Sequence, residues 1–173
     1  MFTNFLTRPP APNGKKYLML INTWHFSFTV SDIERSIEFY RDVLGMELVH
    51  TQEQANAYTR KFVGYPDAHL KVAQFRIAGL PTPRSGHVLE LVEYVAPQGV
   101  KVDTRTLNPG TAHLAFQVDD IHAEHARMSA LGVRFRSEPV AIEAGINTGG
   151  FTCYFLDPDD ITLEIIQAPA RTS

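Results

Sequence analysis

The chain of 173 residues has one cysteine, no apolar run long enough to cross a membrane and no excess of basic residues, and each shortage removes a class of function. Cys153 alone cannot close an internal disulfide, which fits a reducing compartment. Within the strand-like "FTCYFL" it reads as a small buried hydrophobe. The apolar stretch Tyr17 to Ile21 is far below spanning length and reads as an arm or edge strand. The opening "MFTNFLTRPPAPNGKK" has neither a basic start nor a continuous apolar stretch, and Pro9, Pro10 and Pro12 break any helix. No export signal is therefore expected, and a cytoplasmic location is the default. A net charge of -3 and a pI near 6.1 give no electrostatic footprint for nucleic acid or an anionic bilayer. A small molecule is the expected partner.

What is present is an ordinary globular composition, 44% hydrophobic and 20% charged, of a length suited to one unit with a shared core. Within it lies a repeat. "HFSFTVSDI" and "HLAFQVDDI" align without a gap, so that His25, Phe28, Val30, Asp32 and Ile33 match His113, Phe116, Val118, Asp120 and Ile121. Each copy continues as a helix. The first opens with a Ser31-x-x-Glu34 capping box, carries Ile33, Ile37, Tyr40 and Leu44 on one face and ends at Gly45. The second carries Ile121, Met128 and Leu131 and ends at Gly132. Short β-type runs follow, "MELVH", "LKVAQFRIAG" and "HVLELVEY" in one copy and "VRFRSE", "FTCYFL" and "ITLEIIQ" in the other, with "LDPDD" as the last hairpin turn.

The expected fold class is α+β: two βαβββ modules in tandem. The boundaries are an N-terminal arm 1–20, module one 21–95, a linker 96–110 and module two 111–168. "TQEQANAYTRKFVGYPDAHLKV", with Tyr58, Phe62 and Tyr65, has no counterpart of its length in module two; it reads as a pocket wall or as a surface loop anchored by its aromatics. Gly145, Gly149 and Gly150 permit a lid or simply a turn.

Side chains alternate across a strand, so Trp24, Phe26, Phe28 and Val30 share one face while His25, Ser27 and Thr29 share the other. Leu114, Phe116 and Val118 likewise oppose His113, Ala115 and Gln117. On the closing strands Leu89 and Leu91 oppose Glu90, and Leu163 and Ile165 oppose Glu164. A carboxylate among branched aliphatics loses hydration unless it is paired, protonated or bound to a cation. A lone strand histidine or glutamate is ordinarily structural. Here both copies supply one histidine at the first strand and one glutamate at the last, all on the face away from the helices. Pseudo-twofold packing of His25, Glu90, His113 and Glu164 would make a site for one divalent ion: nickel, cobalt, zinc, manganese or iron(II). Of about six octahedral positions, two would stay open, which suits a bidentate oxygen ligand. Of the other histidines, His122 and His125 lie on the second helix and read as solvated, while His50, His69 and His87 follow no repeat; none is assigned chemistry. Arg60, Lys61, Arg84, Arg134 and Arg136 read as solvated surface.

The segments "HFSFTVSDIERSIEFYRDVLGM", "HVLELVEY", "GTAHLAFQVDDI" and "FLDPDDITLEII" resemble the vicinal oxygen chelate superfamily, over Trp24 to Gln167. That superfamily includes glyoxalase I, methylmalonyl-CoA epimerase, extradiol dioxygenases and the bleomycin and fosfomycin resistance proteins. The resemblance implies paired βαβββ modules in tandem forming a curled mixed sheet around a metal site, with His25, Glu90, His113 and Glu164 at the ligand positions, the set most like bacterial glyoxalase I. It also implies a homodimer. It does not extend to glutathione: the arginine expected four residues after the first ligand is Thr29, and the asparagine expected four after the second is Tyr94. Asp160 replaces the usual glycine of the Asp-Pro-Asp-Gly turn, a change aspartate tolerates.

The expected activity is that of a metal-dependent isomerase, epimerase or lyase, in which a substrate with vicinal oxygens is held as an enolate or enediolate while a glutamate moves the proton. Glu164 is the first choice for that base and Glu90 the alternate. Two alternatives stand beside it. An iron(II) extradiol dioxygenase would use His25, His113 and Glu164 with about three open positions, one of which Glu90 would fill. A metal-free binding or resistance protein would have no need of four ligand-type side chains. The pattern leaves open whether one chain or two supply the four groups.

Overall fold

The computed structural model describes Leu20 and residues 22–170. Except for Leu20, the expected N-terminal arm and the apolar stretch Tyr17 to Ile21 lie outside the described residues. The α+β class is as expected, and the strands divide into two mixed sheets, one for each module. Module one contains β1 (Phe26–Val30), α1 (Ile33–Glu38) continued by a π-helical turn (Phe39–Val43), β2 (Met46–Gln54), α2 (Ala57–Val63), β3 (His69–Ile77) and β4 (Leu89–Ala96). Its sheet order is β1-β4-β3-β2, with β1 parallel to β4 and the other pairs antiparallel. Module two contains β5 (Leu114–Gln117), α3 (Ile121–Ala130), β6 (Arg134–Phe135), β7 (Val140–Ala141), β8 (Phe151–Leu156) and β9 (Thr162–Gln167). Here β5 runs parallel to β9, and β8 pairs antiparallel with β9, β6 and β7.

The repeat is also physical at the helix starts. Asp32 and Asp120 have extended backbone and accept from the first-turn amides, Asp32 from Arg35 N and Asp120 from His122 N and Ala123 N. One further orphan amide at each start is satisfied from the last strand of its own sheet: Ile33 N donates to Glu93 Oε2 and Ile121 N to Gln167 Oε1, both at 2.9 Å. The expected Ser31–Glu34 capping box is therefore corrected. Asp32 outcompetes Ser31 as cap because its carboxylate reaches the amides directly, and Ser31 Oγ instead donates to Asp159 Oδ1 at 2.5 Å. Gly45 and Gly132 close the two helical segments at φ of +69° and +83°, the left-handed region glycine enters without cost.

One buried cluster joins the modules: Phe28, Val30, Ile33, Tyr40, Phe75, Leu89 and Leu91 from the first, with Ile121, Met128, Phe155, Leu163 and Ile165 from the second. Removing such side chains from water is worth about 1.5–3 kcal/mol each before entropy is counted. The polar joint beside it is just as specific: Tyr40 Oη donates to Asp157 Oδ2 at 3.2 Å, and Arg35 Nη2 reaches Asp159 Oδ1 at 2.7 Å. Two apolar positions expected in the core are not there. Trp24 is 57% exposed because β1 begins only at Phe26, and Leu131 is 55% exposed because it caps α3 rather than completing its stripe. His125, expected in solvent, instead packs its ring 4.1 Å from that of Phe135.

Candidate metal centre

Pairing register explains why the repeat puts a histidine beside each glutamate. In the β1–β4 ladder Ser27 faces Glu90, and His25 lies two residues before Ser27, on the same side of the sheet. In the β5–β9 ladder Ala115 faces Glu164, and His113 lies two residues before Ala115. His25 Nε2 is 3.9 Å from Glu90 Oε1, and His113 Nε2 is 3.2 Å from Glu164 Oε2. The carboxylates are mostly covered, with side chains 18% and 14% exposed, and neither is left to water alone. Gln74 Nε2 donates to Glu90 Oε2 at 2.9 Å, and Thr152 Oγ1 donates to Glu164 Oε1 at 2.5 Å. Each glutamate thus has one oxygen occupied by a neighbouring strand and the other turned toward its histidine. The Tyr154 ring lies edge-on to His113 at 5.2 Å.

The structure brings the four expected residues together as two pairs. The shared core is built from the helix-side faces of both sheets, so the faces bearing His25, Glu90 and His113, Glu164 are the ones turned away from it. Among the described residues, the one group of three or more ligand-type side chains with convergent donor atoms is His25, His87 and Glu90, within 4.8 Å of one another, and it includes neither His113 nor Glu164. The apolar cleft between the modules, lined by Leu44, Met46, Phe116, Met128 and Ile165, is on the core side and holds no histidine.

His87 was not legible from the repeat, because Ile161 occupies the equivalent place three residues before Glu164. It is only 4% exposed and held by a tight turn: Gly86 at φ +81° donates its amide to the Pro83 carbonyl, and Val88 N donates to the Phe75 carbonyl. The ring nitrogens are both engaged, Nε2 with His25 Nδ1 at 2.9 Å and Nδ1 with the Ser85 carbonyl at 3.0 Å. Two imidazoles and a carboxylate have the composition of a facial triad. The contact between the rings, however, uses the nitrogen His87 would need for ligation. Gln74 and Thr152 were equally invisible in the sequence, since their role depends on cross-strand placement.

The expected insertion is not a plain loop. β2 runs on to Gln54, and α2 follows, capped by Asn56 and ended by Gly64 at φ +79°. Tyr58 and Phe62 stack on its outer surface and, with Tyr65, are exposed rather than anchoring it. Thr59 is the buried contact, its hydroxyl donating to Gln54 Oε1 at 2.9 Å.

The donor set, two imidazoles and two carboxylates with mixed hard and intermediate character, fits a divalent transition ion better than calcium or a thiolate-bound metal. A family model described as Glyoxalase/Bleomycin resistance protein/Dioxygenase superfamily matches residues 24–165. The chain is 33% identical over 150 residues to a 2-epi-5-epi-valiolone epimerase from Actinomyces, covering 84% of this chain and 79% of the relative. It is also 33% identical over 152 residues to the lactoylglutathione lyase of Haemophilus influenzae, covering 86% and 94%. Among solved structures, a glyoxalase family protein from Bacillus cereus superposes with a TM-score of 0.68 at 19% identity, covering 92% of this chain and all of that one. A fosfomycin resistance protein from Listeria monocytogenes, solved with Mn(II) and sulfate, gives 0.55 at 22%, covering 88% and 96%.

Proposed function

The chain belongs to the Glyoxalase/Bleomycin resistance protein/Dioxygenase superfamily, and from that premise we propose that it is a divalent-metal-dependent isomerase, epimerase or lyase. Its substrate is a small molecule with two neighbouring oxygens. The observation that carries this reading is the duplicated His–Glu pair, each glutamate with one oxygen held by a neutral donor and the other aimed at an imidazole. The similarity to an epimerase and to lactoylglutathione lyases supports the lyase or isomerase class.

His25, Glu90, His113 and Glu164 would hold the ion, which when bound supplies Lewis acidity toward a substrate carbonyl and so acidifies the adjacent C–H. Because the two pairs face away from the shared core, each complete set takes one pair from each of two copies of the chain. A homodimer of this kind contains two such sets. Glu164 is assigned the proton transfer. Its Oε1 is anchored by Thr152 Oγ1, which orients the carboxylate, while Oε2, turned toward His113 Nε2 at 3.2 Å, is the oxygen assigned to take a proton from substrate and return it. Glu90 holds the equivalent place in module one and is the alternate base. With four protein groups engaged, about two positions remain, too few for a catecholate together with oxygen. The isomerase or lyase class is preferred for that reason.

Elemental analysis of protein purified without added metal, followed by solvent proton exchange on 2-oxo acids, 2-hydroxy acids and acyl thioesters, tests the proposal. About one ion per chain and deuterium uptake at the carbon beside the carbonyl are expected. Glu164→Gln should retain the ion and lose exchange by at least about 100-fold. Full exchange in that variant would remove Glu164 from its role, and metal-free protein with undiminished exchange would end the metal reading.

A further inference from the structure

We propose that His87 is a positioning residue that fixes the tautomer and plane of His25, delivering the Nε2 lone pair of His25 to the metal; this rests on the metal reading above. The Ser85 carbonyl can only accept, so the 3.0 Å contact places a hydrogen on His87 Nδ1. In a neutral imidazole the other nitrogen is then an acceptor, so His87 Nε2 must accept from whatever lies against it. What lies against it is His25 Nδ1 at 2.9 Å. His25 is therefore the Nδ1–H tautomer, and its lone pair is on Nε2, the atom that faces Glu90 Oε1.

The relay is rigid as well as directional. His87 is buried, its backbone carbonyl accepts from Ser85 Oγ at 2.5 Å, and the flanking Gly86 and Val88 amides are tied to Pro83 and β3. Glu90 Oε2, at 4.0 Å from His87 Nε2, is too far to compete for that nitrogen. The His25 ring is by contrast partly exposed and sits just before the first residue of β1, where the ladder does not yet constrain it. Without its neighbour it could rotate about χ1 and χ2 or present either nitrogen. Outer partners of this kind raise ligand basicity and typically carry a 10–100-fold effect on metal affinity. His113 in module two has no such buried imidazole partner in the equivalent place, which is Ile161, so the two halves of the site are oriented by different means.

The test uses the full chain with 15N-labelled histidine. Long-range proton–nitrogen spectra of chelator-treated protein should show Nδ1–H for both His25 and His87. His87→Phe should abolish that preference at His25 and weaken Co(II) binding 10–100-fold, with a change in the Co(II) d–d bands. His87→Gln, whose side-chain carbonyl can accept where Nε2 did, should bring Co(II) affinity back to within about threefold of the parent. An Nε2–H tautomer at His25 in the parent protein overturns the proposal, as does undiminished Co(II) affinity in His87→Phe. Equal losses in both variants, or a Co(II)-induced shift at His87 Nε2 itself, would make His87 a ligand and overturn it too. If the parent takes up no Co(II) while His25 remains Nδ1–H, the metal reading fails and the positioning role falls with it, though the hydrogen-bond relay stands.

Discussion

Thr152 Oγ1 donates to Glu164 Oε1 at 2.5 Å across adjacent antiparallel strands, from a place two residues before the direct cross-strand partner Tyr154 and on the same face of the sheet. A hydroxyl in that place converts a freely rotating carboxylate into one with a fixed plane and a single outward oxygen. Thr152→Val keeps the shape and removes the donor. Divalent-metal dissociation constants should rise about 10–100-fold, as for other outer-shell partners, with a stability cost of only about 1 kcal/mol. Thr152→Ser should restore the affinity. Calorimetric titration with Co(II) or Mn(II) reads the effect, and an unchanged constant in Thr152→Val would mean that Glu164 needs no orientation.

Placement of the two His–Glu pairs on faces turned away from the shared core predicts complementation between inactive chains. His25→Ala and His113→Ala homodimers should each lose metal and activity. In a mixed dimer, one shared set collects both defects and the other collects none, so co-expressed and tag-selected heterodimers should regain about half the parent activity. Sites complete within one chain would each retain a defect, and the mixed dimer would then be as inactive as its parents.

Asp157 joins the modules and carries a stability dependence on pH. It is 1% exposed, its Oδ1 accepts from the Asp159 and Ile161 amides at 2.9 and 2.8 Å, and its Oδ2 accepts from Tyr40 Oη. Burial outweighs these hydrogen bonds and pushes its pKa up from 3.8 to about 6. A folded-state pKa above the unfolded one means that the native state binds more protons between those values. The contribution of Asp157 to stability is therefore fully present below about pH 4 and is lost as pH rises through about 6, by about 3 kcal/mol at most. Asp157→Asn keeps the Oδ1 acceptor and removes the titration. Urea unfolding of parent and variant at pH 4.5, 6 and 8 should give a stability difference that shifts in favour of the variant with rising pH. A difference independent of pH would show that Asp157 titrates normally.

Most of the frame was legible because it depends on local alternation and on a repeat. The phase of "HFSFTV" and "HLAFQV" fixed which side chains face the helix, and Phe28, Val30, Leu89, Leu91, Leu163 and Ile165 are buried as that phase requires. The aligned histidines and glutamates were found in the same way, and the structure sets them two by two. What the pattern could not carry was anything non-local or unrepeated. His87 has no counterpart in module two, and its position depends on a left-handed Gly86 that turns the chain just before β4. Gln74 and Thr152 become partners of the glutamates only through strand register. The caps contributed by Glu93 and Gln167 occupy equivalent places in the two modules, but only the fold brings β4 and β9 against the helix starts. Separation of the pairs likewise follows from which faces share a core, a choice that alternation within one strand leaves open.

Gly150 tests whether the geometry of the second pair depends on the edge where β8 begins. A Cβ added there would collide with the Gln167 carbonyl and lie 3.2 Å from Asn147 O and Pro169 N, all backbone atoms with little room to move. The residue after it, Phe151, pairs with Gln167, and Thr152 follows one position later. Gly150→Ala must therefore push the start of β8 away from β9, at a cost of about 1–3 kcal/mol. The shift acts at the end of the ladder nearest Thr152, so the Thr152–Glu164 hydrogen bond should lengthen and metal affinity should fall along with stability. Gly145→Ala has open space around its Cβ and pays only for its φ of +85°, about 1 kcal/mol, with no effect on metal. Thermal unfolding and Co(II) titration of the two variants separate these effects. Equal behaviour in both assays would show that the Gly150 contact is relieved without disturbing the strand pair that holds Glu164.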